Sequence, residues 1–141
     1  MEPTYHYSVS LRIWHPTINP AKITERLQLR PTHWWMVGEP RKARDGKPLG
    51  GAHKQSFWFR RFAEKRRDSS RANALEAYLE STLVKLKIHK SFFRRVAKAG
   101  GRVELFVGLF AESGNFGFEL PATLLADYGR VGVDLSFDVY R

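Results

Sequence analysis

Acid–base or metal chemistry in this chain would have to use its five histidines, His6, His15, His33, His53 and His89. No two of them share the i, i+4 helical spacing that turns two ligands toward one zinc ion, and no carboxylate joins them in a zinc-binding pattern. The chain has no cysteine, which removes disulfides, thiolate metal sites and cysteine nucleophiles. Gly50-Gly51 lacks the Lys-Ser/Thr that follows in a phosphate-cradling loop, and there is no Gly-x-Ser-x-Gly elbow. Asp134 and Asp138 face the same way on a strand but about 13 Å apart, outside the spacing of paired glycosidase carboxylates. One catalytic arrangement is left, His33, Trp34 and Glu39 beside a glycine-rich loop, and it ranks last of three readings. No catalytic residue, metal ligand or cofactor is therefore assigned.

Charge is the stronger signal. The 141 residues carry 24 Lys and Arg against 14 Asp and Glu, a net +10. Residues 41–102 hold 18 of those cations and only five acids. The densest cluster is Arg60, Arg61, Lys65, Arg66, Arg67 and Arg71, and Arg94, Arg95, Lys98 and Arg102 form a second. The expected site for an anionic partner, an acidic protein or a nucleic acid, is Arg60, Arg61, Arg66, Arg67, Arg71, Arg94 and Arg95. A solvated helix surface that keeps the protein in solution explains the same residues equally well.

Aromatic residues give the alternative. Asn115-Phe116-Gly117-Phe118-Glu119-Leu120 partly echoes the aromatic signature of RNA-recognition motifs, and Phe57-Trp58 stands where a companion motif would. Trp58, Phe116 and Phe118 would then stack the bases of single-stranded RNA or DNA. The Lys/Arg-Gly expected before the first Phe is missing, and Glu119 stands where an aliphatic belongs. The favoured account makes Phe116 and Phe118 core aromatics. Trp34-Trp35 ahead of the basic loop is divided evenly between a core plug and a binding surface.

Elements that position these residues follow from hydrophobic period. Val9, Leu11 and Ile13 alternate with polar residues, predicting a strand over 5–14. Asn19-Pro20 reads as an N-cap and first turn, and Pro31 as a stop. Residues 33–37 predict a short strand or aromatic loop, 38–54 a mobile loop, and 56–60 a strand. Leu75, Leu79, Leu83 and Leu86 share one helical face, and a second helical stretch runs over 89–98 to Gly100-Gly101; one bent helix and two separate ones remain open. Strands follow at 103–110, with apolar residues on both faces, at 116–120 and at 133–139, with a short helix opened by Pro121.

The predicted fold is α+β in a single domain over residues 1–141. It has an antiparallel sheet with helices packed on one face, in ferredoxin-like βαββαβ order from residue 56, with an extra N-terminal strand and helix. No apolar run approaches the ~20 residues that span a bilayer, and no basic-then-apolar leader opens the chain. A cytoplasmic protein without membrane contact is expected.

The motif Asn19-Pro20-x-x-Ile23-Thr24-x-x-Leu27-x-Leu29-x-Pro31-Thr32 is followed by Gly38-Glu39 and by Trp58 ahead of a Leu-rich helix. Phe118-Glu119-Leu120, Leu125, Tyr128-Gly129, Leu135 and Asp138-Val139-Tyr140 close the pattern. In these residues the chain resembles the bacterial domain-of-unknown-function family 4279 over nearly its whole length. That resemblance implies no activity and no catalytic residue. It does imply that the Phe-Glu-Leu segment is architecture, and the basic middle departs from the family's pattern. The leading expectation is a small non-enzymatic binding or adaptor domain.

Overall fold

The computed structural model describes residues 5–68, 74–112 and 114–141, with the backbone alone for 64–68. The elements in order are β1 (Tyr5–His15), α1 (Pro20–Leu27), β2 (His33–Trp35), β3 (Pro40–Lys42), β4 (Pro48–Ala52), β5 (Ser56–Asp68), α2 (Ala74–Lys87), α3 (Lys90–Lys98), β6 (Arg102–Ala111), α4 (Ala122–Val131) and β7 (Asp134–Tyr140). Five strands form one sheet in the order β2-β5-β1-β6-β7, and β3 and β4 pair separately. The sheet is antiparallel except that β6 and β7 run parallel.

Alternation decides which residues enter the core. Val9, Leu11 and Ile13 of β1 and Leu105 and Val107 of β6 are fully buried on one face. That face, with Trp58 of β5, joins a single cluster containing Ile23 and Leu27 of α1, Leu75 to Leu86 of α2, Phe92, Phe93 and Val96 of α3, and Leu124, Tyr128 and Val131 of α4. All four helices thus lie on the same side of the sheet. Each large apolar side chain so buried contributes about 1.5–3 kcal/mol.

Local capping follows the sequence. The Asn19 side chain accepts from the backbone N–H of Ala21 at 3.0 Å, and Pro20 opens α1. The Trp58 indole N–H donates to Thr24 Oγ1 at 3.0 Å, pinning α1 to β5. The Tyr128 hydroxyl donates to the carbonyl of Leu79 at 2.6 Å, tying α4 to α2. Burial pushes that phenol well above its ordinary range, so it remains a donor. Residues 74–98 form two helices, with α3 entered at His89.

Two expectations need correcting. Residues 116–120 are not a strand, so the ferredoxin-like hairpin after β6 is missing. The reason is geometric: β1 and β7 occupy both edges of β6, leaving no ladder for a hairpin partner. Phe116 instead stacks on Tyr5 and Phe118 on Phe137, with ring centroids 4.6 Å and 5.4 Å apart. The second correction is the basic loop, which contains the hairpin β3–β4. In its turn the Ala43 N–H donates to the Lys47 carbonyl and the Gly46 N–H to the Ala43 carbonyl, and Asp45 Oδ1 accepts from the Lys47 N–H. Among the described residues no helix is long and apolar enough to cross a membrane.

Candidate functional site

The sheet face turned away from the helices is unusually aromatic. On β1 the residues opposite the core positions include Arg12 and Trp14, and on β6 Arg102, Glu104, Phe106 and Phe110. Register places Trp14 beside Phe57 of β5, and Phe57 beside Trp35 of β2. The rings form a continuous row across these strands. His53 stacks on Trp35 at 4.2 Å with planes 12° apart, Trp35 meets Phe57 at 4.5 Å, and Phe57 meets Trp14 at 5.2 Å. The Arg102 guanidinium caps the row 4.3 Å from the Trp14 ring centroid. The Trp35 indole N–H donates to the Gln55 carbonyl at 3.0 Å, which fixes the edge ring.

A second layer is organised by Glu104, which is only 5% exposed. Its carboxylate lies 3.2 Å from Arg102 and 3.9 Å from Arg12. Arg12 in turn lies 3.8 Å from the Phe106 ring centroid. One buried carboxylate thus holds two guanidinium groups over two rings, satisfying its own charge as it positions theirs. Phe59 and Arg61 extend the same face on β5, and Phe110 stacks on Tyr140 of β7 at 4.8 Å. Flat rings, flat cations and free guanidinium donors can stack and hydrogen-bond planar anionic matter. Beside the Trp35 end, His53 exchanges backbone bonds with Gly38 and Glu39, so the row abuts the hairpin carrying Arg41, Lys42, Arg44 and Lys47. At the opposite edge β7 carries Asp134 and Asp138.

Of the residues singled out from sequence, the described side chains of Arg60, Arg61, Arg94 and Arg95 are spread over both faces of β5 and over α3. Arg60 and Arg61 are neighbours on a strand, so they leave it in opposite directions. Arg60 lies on the helix side, donating to the Arg30 carbonyl at 2.8 Å, while Arg61 lies on the open face 5.9 Å from the Phe59 centroid. Arg94 and Arg95 are exposed on α3. Arg95 lines a cleft with Lys22 and Arg26 of α1 and with His89. Burial, and then the charge of Arg26, lower the pKa of His89 and favour its neutral form. Arg71 lies outside the described residues, and Arg66 and Arg67 are described by backbone alone.

Trp58 is fully buried on the helix side and cannot stack a base. Phe116 and Phe118 pack partly buried against the core. His33, Trp34 and Glu39 do not converge either: His33 contacts Trp35 edge-on at 5.9 Å, and Trp34 is paired opposite the buried Trp58. Trp14, Trp35, Phe57, Phe59 and Phe106 were missed as a set. The signal was the second alternating series within the strands, legible as aromatic but not as one surface.

A family model, described as a domain of unknown function, DUF4279, matches residues 3–141. The chain belongs to that family. No curated protein and no solved structure matches it. The match covers every strand and helix described above, so the aromatic face and the basic hairpin both lie within the family domain. The family's description carries no activity, leaving its function to be argued from the surface.

Proposed function

We propose that the chain is a small binding domain without catalytic activity that holds single-stranded nucleic acid on its open sheet face. One observation carries the reading: the row His53, Trp35, Trp14 and Arg102, joined through the buried ring of Phe57, on a face that none of the described helices covers. Every base has a π-face, so such a row takes single strands with little regard to sequence, each stacked base contributing about 1–3 kcal/mol. Arg41, Lys42, Arg44 and Lys47 of the adjoining hairpin supply phosphate contacts, and the net +10 supplies long-range attraction. Asp134 and Asp138 repel phosphate from the β7 edge, which favours a track over β2, β5 and β1.

The test is fluorescence anisotropy with single-stranded RNA and DNA pools across a salt series. Trp35→Ala is expected to weaken binding tenfold or more, by loss of about 1.4 kcal/mol, with little change of salt slope. Replacing Lys42 by Ala should flatten that slope by about one. No binding near ~0.15 M salt would defeat the proposal, as would binding insensitive to Trp35→Ala, or a dimer in sedimentation that buries this face and excludes the strand.

A second reading places an acidic protein against α3. Arg94, Arg95 and Lys98 are exposed there, and among the described residues none of them is ion-paired. Binding of a poly-glutamate peptide that is lost with Arg94→Glu but kept with Trp35→Ala would favour that helix as the site.

A further inference from the structure

On the helix side a groove of about 420 Å³ opens between the end of α1, the outer part of β5 and the last turns of α2. Leu27, Leu29, Phe62 and Ile88 form its apolar walls, and Arg60 and Lys85 are its cations. Among the described residues no carboxylate lines it. Among the described residues neither cation has an ion-pair partner. Arg60 is held in place by its bond to the Arg30 carbonyl, which leaves most of its donors uncommitted. Ile88 is 80% exposed, an aliphatic side chain left in water where the groove meets the cleft of Lys22, Arg26 and Arg95.

A volume in the range of small-molecule sites, apolar walls and unmatched positive charge specify a ligand with an apolar body and one anionic end. We infer that this groove binds a small amphipathic carboxylate of the fatty-acid kind, its tail against Leu27, Leu29, Phe62 and Ile88 and its carboxylate between Arg60 and Lys85. The tail removes Ile88 and the groove walls from water, and the carboxylate meets two cations that no acid among the described groove residues neutralises. The site lies across the sheet from the aromatic face, so it stands or falls independently of nucleic-acid binding.

The experiment is isothermal titration of the full chain with sodium decanoate and, in parallel, with decanol. Decanoate is expected to bind one to one and decanol about tenfold more weakly or worse, since one charge-assisted contact is worth roughly that factor. Lys85→Gln, at an exposed position, should weaken decanoate about tenfold with an unchanged near-ultraviolet spectrum. Ile88→Glu should abolish binding, and Trp35→Ala should leave it untouched. Equal affinity for decanol, indifference to both Lys85→Gln and Arg60→Gln, or no decanoate binding would overturn the assignment. Cosedimentation with phosphatidylglycerol vesicles in place of decanoate binding would overturn it too, and would point to a lipid surface.

Discussion

His15 shows how much one side chain can fix. Its Nδ1 accepts from the backbone N–H groups of Thr17 and Ile18, at 3.0 and 2.9 Å, and so turns the chain out of β1 toward α1. A protonated imidazole cannot accept those bonds. Burial lowers the His15 pKa below its ordinary value of 6.5, so the folded state takes up the proton less readily than the unfolded chain. The stabilising contribution is therefore complete above pH 6.5 and is lost as pH falls from there through the folded value. Denaturant titrations from pH 8 to pH 5 should show stability falling with pH. His15→Asn, whose side-chain oxygen can accept the same bonds at any pH in that range, should reduce the slope, and His89, lowered in the same sense, contributes to what remains. Glu104 is the other instructive residue, because its identity as an acid in an aromatic strand looks like a flaw until Arg12 and Arg102 are placed on either side of it.

Among the elements, the crossing from α3 to β6 is the tightest. Gly100 has φ +92°, and Gly101 donates its N–H to the Val96 carbonyl at 2.9 Å. A Cβ on Gly101 would run into the Trp14 carbonyl oxygen and come within 2.8 Å of Val96 Cγ1. Backbone on one side and a packed core residue on the other leave nothing free to yield. Gly101→Ala should cost about 2–4 kcal/mol in chemical denaturation. Gly100→Ala, which carries only the left-handed backbone penalty and faces Pro16 Cγ at an ordinary 3.6 Å, should cost about 1–2 kcal/mol. Equal losses would mean that the close approach of α3 to β1 is not what requires a glycine at 101. The glycine pair is legible in the sequence as a helix stop; Gly100 answers its left-handed φ, and the demand for glycine at 101 comes from β1 lying alongside.

For the whole molecule, charge distribution matters more than its sum. The described cations are spread over the helix side, the β3–β4 hairpin and the open face. Like charges so dispersed repel in the compact state, and salt screens them. The melting temperature should rise by a few degrees between ~10 and ~150 mM NaCl in scanning calorimetry, as about 1 kcal/mol of repulsion is screened. A flat or falling curve would show that pairs such as Arg102–Glu104 and Lys87–Asp127 offset the repulsion.

Sequence by itself determined the local elements. Alternation marked β1, β6 and β7, the leucine spacing marked α2, and Asn19-Pro20 and Gly100-Gly101 marked helix ends, because backbone sterics, capping and periodic burial act over a few residues. Only the tertiary structure decided which strands became neighbours. Residues 116–120 offered a plausible strand, but β7 took the free edge of β6 in parallel, and an edge has hydrogen bonds for one partner. The β1–β5 and β2–β5 pairings turned Arg60 to the helices and Arg61 to the open face, and set Trp14, Phe57 and Trp35 in one row from three separate segments. Which side chains share a surface depends on register between distant strands, and register is fixed by the packing of the whole sheet against its helices.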